Sequence, residues 1–110
     1  MPLADLLKER FKVRTRAIEN PRLTSVGTIA EVVLANNPNR LAFSVVNLSA
    51  NVMYIGLTNL VSATNGIRLD ANGGYFSGIW DEMFDPVAWA WWIIATGAGS
   101  SVYSVEVVEY

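Results

Sequence analysis

Nine consecutive residues, 87–95, contain no charged or hydroxyl side chain, and three of them are tryptophan. In a β-strand, alternate side chains point to opposite faces. A strand here places Trp89, Trp91 and Ile93 on one face, and Trp92 and Ile94 on the other. Because both faces are apolar, we expect the strand to lie between two layers of its own domain, or to have one face covered by another subunit.

The composition agrees with either reading. The chain has 110 residues, enough for one domain with a modest core. Hydrophobic residues make up 52% and charged residues only 16%, against about 25% charged residues in an average domain. A small domain with this composition is expected to expose apolar surface and to assemble with other chains. An ordinary, dense β core is the alternative.

Two residue types are missing from the sequence, and their absence excludes common chemistry. The 110 residues contain no cysteine, so they form no disulfide framework and no thiolate metal site. They also contain no histidine, which removes the usual general base and the usual zinc ligand. The apolar run of nine residues is too short for a membrane-spanning helix, which needs about 20. We therefore predict no cofactor, no metal site and no membrane association.

Charge divides the chain into an arm, residues 1–23, and a body, residues 24–110. The first 22 residues hold six basic and three acidic side chains, net +3, whereas the rest holds two basic and seven acidic ones, net −5. A basic arm can bind the acidic body of a neighbouring copy, another acidic partner or nucleic acid. Nucleic acid is the least favoured of these, because three or four charges without a nucleic-acid-binding fold are a weak signal. A solvated face is the alternative.

The arm shows two periodicities. Leu3, Leu7 and Phe11 recur every four residues, which places them on one stripe of a helix. From Phe11 onwards the period is two, with Lys12, Arg14 and Arg16 on one side, which is typical of an extended segment. A helix of about ten residues is marginal alone, so it should dock on a partner or on its own body.

The body alternates short apolar stretches with turn sequences, and it lacks a long helical pattern. Strands are predicted over residues 28–35, 40–48, 52–55, 67–69, 75–80, 87–95 and 102–108. The second and third of these are predicted to form a hairpin across Ser49, Ala50 and Asn51. This spacing predicts an all-β fold, an antiparallel β-sandwich or a jelly-roll-like barrel, with a helical and extended N-terminal arm.

Two groups of side chains could carry chemistry. Asp81, Glu82 and Asp85 share one loop, as paired carboxylates of a hydrolase or a calcium site would, but they lack the ligand spacing and glycine of an EF-hand loop. A solvated loop is the favoured reading. The tryptophans could stack on sugar rings, but they fall on both faces of their strand. Core or subunit interface is therefore favoured for them.

The body also resembles a family of known proteins. The sequence carries Asn39-Arg40, then Val-Val-Asn-Leu-Ser at 45–49, Met-Tyr-Ile-Gly at 53–56, Asn-Gly-Ile-Arg-Leu at 65–69, Gly73-Gly74, and Ile94-Ala95 followed by Gly97. Over residues 39–108 this pattern resembles small structural proteins of tailed bacteriophages. The resemblance implies a virion component with a β-sandwich body: a capsid decoration (cement) protein, or a head or tail fitting.

These observations predict a non-enzymatic virion structural protein that stabilises or decorates a phage capsid. It would be made in the host cytoplasm and would bind other virion proteins, the major capsid protein among them, as a homo-oligomer for which we expect a trimer. The residues predicted to contact other subunits are Leu3, Leu7, Phe11, Lys12, Arg14, Arg16, Trp89, Trp91 and Trp92. The alternatives are a glycan- or host-surface-binding module of a phage tail or fibre and, less favoured, a small hydrolase using the 81–85 carboxylates.

Overall fold

Two antiparallel sheets pack face to face in the computed structural model, which describes Leu3 and residues 14–110. The predicted β-sandwich is therefore confirmed. The strands are β1 (Thr15–Glu19), β2 (Ser25–Val26), β3 (Glu31–Leu34), β4 (Arg40–Asn47), β5 (Met53–Gly56), β6 (Ile67–Leu69), β7 (Tyr75–Ile79), β8 (Trp91–Ala95) and β9 (Ser100–Glu109). A short helix α1 (Trp80–Met83) and a 3-10 turn (Asp85–Ala88) join β7 to β8.

The larger sheet has the order β1-β9-β4-β7, with β2 also paired to β9, and the smaller sheet has the order β3-β8-β5-β6. The longest strand, β9, forms pairs with three others because β1 and β2 share one of its sides. The chain bends between them at Asn20, whose φ is +46°. Asn20 binds Ser104 twice, through its backbone N–H and through its side-chain oxygen. Both β1 and β2 are thereby held to one strand.

Alternation along the strands produces the core. Every second side chain of β8 and β9 is buried between the sheets, and β4 alternates in the same way from Phe43, after an irregularity between Arg40 and Ala42. Three aromatic rings contact each other there, Phe43, Phe76 and Trp91, with centroids 5.3–5.8 Å apart. Such tilted pairs are favourable beyond the area they bury. The indole N–H of Trp91 donates to the carbonyl of Pro86 at 3.1 Å, so its one polar group is satisfied.

The predicted hairpin between β4 and β5 is wrong, because the two strands belong to different sheets. The buried side chain of Asn47 explains why the chain crosses from one sheet to the other at this corner. Its amide N–H groups donate to the carbonyls of Asn51, Leu69 and Asp70, and its oxygen accepts from Ser49. These bonds hold the end of β4 against the chain leaving β6, so the turn carries the chain across the sandwich.

The tryptophan strand is also shorter than predicted. Asp85–Ala88 forms a 3-10 turn, and β8 begins only at Trp91. Pro86 favours the 3-10 turn over a strand start here, since it fixes φ near the helical value in the first residues of the turn. Trp89 therefore does not share a strand face with Trp91.

Part of the predicted arm lies in the larger sheet. Residues 15–19 form β1 and pair along β9 from Glu109 to Val105. The predicted helical half falls outside the described residues apart from Leu3, which is exposed. The division of the chain into arm and body stays a prediction.

Candidate interaction surfaces

The outer face of the larger sheet is poor in charge. One row across the strands of this face holds Ala17, Val107, Ala42 and Ile79. Two rows further along the same face, Tyr103, Val46 and Tyr75 lie side by side. Between the two rows, Ser44 and Ser77 bond to each other at 2.9 Å. The charged side chains of this face are at its margin, on β1 and the end of β9. The solvated face of an antiparallel sheet is normally polar, whereas alanine and valine occupy much of the centre of this one, so this face suits contact with another protein.

A hydrogen bond ties the edge strand β1 to this face. The phenol of Tyr103 donates to Glu19 at 3.2 Å. Desolvation, the nearby carboxylate charge and this bond together raise the pKa of Tyr103 above its usual value. Each of these causes favours the neutral phenol, which can donate, over a phenolate facing a carboxylate.

The outer face of the smaller sheet is apolar at its centre and charged at one margin. Trp92 lies between Val32 on β3 and Gly56 on β5. Ile94 faces Tyr54, which in turn faces Arg68 on β6. The carboxylate of Asp70 accepts a hydrogen bond from Arg68 at 2.7 Å, which raises the pKa of Arg68.

One end of the sandwich collects exposed apolar side chains. Eight of the twelve large hydrophobic side chains that are exposed among the described residues belong to it, and we call this set the apolar end: Leu57, Leu60, Ile67, Ile79, Trp80, Phe84, Trp89 and Tyr110. The register places them together, because β5, β7 and β9 finish at this end and β6 and β8 begin there. Exposed hydrophobics scattered singly are ordinary, whereas two thirds of the exposed set gathered at one end of the domain suits an interaction site.

A cleft of about 270 Å³ lies in the apolar end, between α1, the 3-10 turn and Pro38. Trp80 and Phe84 line it and are 48% and 72% exposed. The carboxylates of Asp81, Glu82 and Asp85 are exposed in the same segment. Phe84 has φ +61° and ψ −139°, a conformation that costs a bulky residue on the order of 1–3 kcal/mol. Its aromatic ring is exposed to solvent and does not pack in the core.

Arg40 holds this segment in place from below. It is 2% exposed, and its Nε donates to Glu106 at 2.6 Å. Its two remaining nitrogens donate to the carbonyls of Val87, Trp89 and Ala35. One side chain thus joins β4, β9, the end of β3 and the loop that carries the exposed aromatic residues.

The predicted interface residues have separate positions in the structure. Trp91 is buried in the core, so its prediction as a subunit contact is wrong: its ring already packs against Phe43 and Phe76. Trp92 is half-buried on the outer face of the smaller sheet, and Trp89 is exposed at the apolar end.

The basic and apolar residues predicted in the arm are described only in part. Arg14 and Arg16 are exposed, and the guanidinium of Arg16 lies 5.3 Å from the centre of the Tyr110 ring. Leu3 is exposed as well. Leu7, Phe11 and Lys12 lie outside the described residues.

The structure adds no support for hydrolytic or metal chemistry in the part of the chain that it describes. Within Leu3 and residues 14–110, no three acidic side chains come together as metal ligands would. Likewise, none of the helices in those residues is long and apolar enough to span a membrane.

Sequence reasoning missed Arg40, Glu106 and Asn47 as organising residues. The alternation of β9 contained a signal for one of them, because Glu106 falls on the same face as Val102 and Val108. A carboxylate on a buried face requires a cation. The body offers only Arg40 and Arg68 as basic residues.

Comparison with known proteins identifies no family. No family model matches the sequence, and no curated protein matches it. Among solved structures, a subunit of the Bacillus endospore appendages, described as a novel family of disulfide-linked pili, aligns over 86% of this chain and 83% of its own, with 12% identity and a TM-score of 0.48. We draw no inference about function from a likeness at this level.

Proposed function

We propose that this chain is a non-enzymatic structural subunit that works through contacts with other protein chains, and that its setting is the virion of a tailed bacteriophage, as a capsid decoration protein. The observation that carries the structural role is the charge-poor outer face of the larger sheet. The phage setting is supported by the sequence pattern of residues 39–108, in which Arg40 and Asn47 have defined structural positions.

The outer face would act by excluding water between subunits. Ala42, Val46 and Val107 occupy its centre, and the neighbouring hydroxyls of Ser44 and Ser77 satisfy each other. Removing apolar surface from water contributes about 25 cal/mol per Å², and serines that are already paired add little desolvation cost on association. Tyr75 and Tyr103 on the same face belong to a residue type that is common at interface centres.

Light scattering over a concentration series tests this proposal. The wild-type protein should form an oligomer, with a trimer as the expected copy number. Val107→Lys puts a charge in the centre of the face and should dissociate the oligomer while leaving the circular dichroism spectrum unchanged. Thr28→Lys is the matched control, because it adds the same charge at an exposed position between β2 and β3, away from this face.

The outcome that contradicts the proposal is equally concrete. If Val107→Lys assembles as the wild type does, and also binds purified phage capsids as the wild type does in co-sedimentation, the outer face is not a contact surface. The virion setting is tested separately by co-sedimentation of the wild-type protein with those capsids.

A further inference from the structure

We propose that the apolar end is the docking surface for residues 1–13 of a neighbouring copy of this chain. The inference rests on the proposed role in subunit contacts and names the surface that receives the arm. It uses three independent observations: where the arm leaves the body, what the arm carries, and what the apolar end presents.

Residues 1–13, the part of the arm that precedes β1, are joined to the sheet at the apolar end. Strand β1 runs antiparallel to β9, and the backbone N–H of Tyr110 donates to the carbonyl of Arg14 at 3.0 Å. Residue 13 is therefore followed by the sheet at the point where β9 finishes, which is the end that carries the exposed aromatic residues. Thirteen residues span at most about 43–47 Å when fully extended, which is enough to cross to a second copy.

The direction of β1 favours a neighbour over the chain's own body. Strand β1 enters the sheet from this end, and at Arg14 its axis points past the end of the sandwich. Covering its own apolar end would require the chain to reverse direction. Of the five residue types that dominate tight turns, residues 3–13 contain only one, the aspartate at position 5.

The two surfaces are complementary in charge. Asp81, Glu82 and Asp85 are exposed in the loop that borders the cleft. No ion pair joins them to a basic residue anywhere in the described part of the chain. The arm supplies Lys8, Arg10 and Lys12. Opposite charges on facing surfaces guide association and fix which partners meet.

The two surfaces also match in apolar content. Leu3, Leu7 and Phe11 recur every four residues in the arm, and Trp80 and Phe84 line the cleft of about 270 Å³. Phe84 has a strained backbone, and its ring is exposed in the isolated chain. A strained residue of this kind persists where it has a task, and here the task is to meet the apolar stripe of the neighbour.

Charge reversal in two separate full-length chains tests the proposal. One variant reverses the arm (Lys8→Glu, Arg10→Glu and Lys12→Glu), and the other reverses the loop (Asp81→Lys and Glu82→Lys). Each variant alone should assemble at least about tenfold more weakly than the wild type, because like charges then face each other. Mixing the two should restore assembly, because each altered surface then meets a surface of opposite charge.

The control for the loop variant carries Glu31→Lys and Asp70→Lys. It makes the same change in net charge at exposed positions away from the apolar end, and it should assemble as the wild type does. Native mass spectrometry of the mixture shows whether each oligomer contains both variants. Circular dichroism shows that every variant is folded.

Three results would overturn the inference. Normal assembly of both reversed variants, with loss of assembly only in Val107→Lys, would leave the proposed structural role standing and remove the docking surface. Tryptophan fluorescence that differs in both variants but does not change on mixing would show that the arm docks on its own body. A monomeric wild type whose tryptophan fluorescence shifts with added polysaccharide would assign the apolar end to glycan.

Discussion

Replacing Arg40 by methionine should destabilise the fold more than any other single loss of charge in the described residues. The substitution keeps an unbranched side chain of similar length but removes the cation. Glu106 is then left as a buried carboxylate, and the carbonyls of Ala35, Val87 and Trp89 lose their donor. Breaking a buried ion pair by removing one partner costs about 3–5 kcal/mol.

This loss is large relative to the stability of a domain, which is about 5–15 kcal/mol. At 110 residues the entropy of unfolding is about 0.2 kcal/mol per kelvin near the midpoint, so the melting temperature should fall by about 15 °C. Urea unfolding, followed by circular dichroism and by tryptophan fluorescence, measures the loss in free energy of unfolding. The midpoint should move while the slope with denaturant stays constant, since the same surface is exposed on unfolding.

The chain provides a matched control for this experiment. Arg68 also pairs with a carboxylate through its Nε, at 2.7 Å, but that pair is exposed to solvent. Arg68→Met should leave the urea midpoint where it is, because water screens exposed pairs. If Arg40→Met and Arg68→Met lose the same free energy of unfolding, the conclusion that Arg40 holds these elements together is refuted.

One extension of the experiment separates charge from hydrogen bonding. Adding Glu106→Leu to Arg40→Met removes the isolated charge. It should recover only part of the loss, because the three carbonyls still lack their donor.

Two further experiments have clear expected outcomes. Gly74→Ala should lower the urea midpoint strongly, since its Cβ would overlap the backbone nitrogen of Asp70, whereas Gly27→Ala meets no atom within 4 Å and should stay within about 0.5 kcal/mol of the wild type. Because the folded-state pKa of Tyr103 is raised, its contribution is complete below the unfolded value of about 10 and is lost as the pH rises through the folded value. The stability difference between the wild type and Tyr103→Phe, measured by urea unfolding at pH 8 and pH 11, should therefore fall at the higher pH, and a difference that stays constant would contradict the assignment of the Tyr103–Glu19 contact.

Alternation along the chain was enough to predict most strands and the sandwich itself. It works because a strand with one buried face must repeat every second residue, as β9 does from Ser100 to Val108. The same signal cannot show which strands pair. The turn at 49–51 is compatible with a hairpin and with a corner, and the choice is made by Asn47, whose partners on β6 and beyond are 22 and 23 residues away.

The tryptophan run shows a second limit. Its composition indicates burial on both faces of a strand. The 3-10 turn Asp85–Ala88 replaces the first part of that strand, however, and β8 begins only at Trp91, so Trp89 lies outside it. The sequence therefore predicts that these aromatic side chains matter, without separating Trp91, which packs in the core, from Trp89, which is exposed.

The position of Arg40 links the core to the apolar end. Its guanidinium is buried beneath the segment that carries Trp80, Phe84 and Trp89, and it binds two carbonyls of that segment directly. A loop with exposed aromatic rings would be mobile if its own contacts alone held it, and docking would then cost ordering entropy. Because the buried cation fixes the loop before any partner arrives, that cost is met during folding of the subunit. Loss of Arg40 should consequently weaken assembly as well as stability.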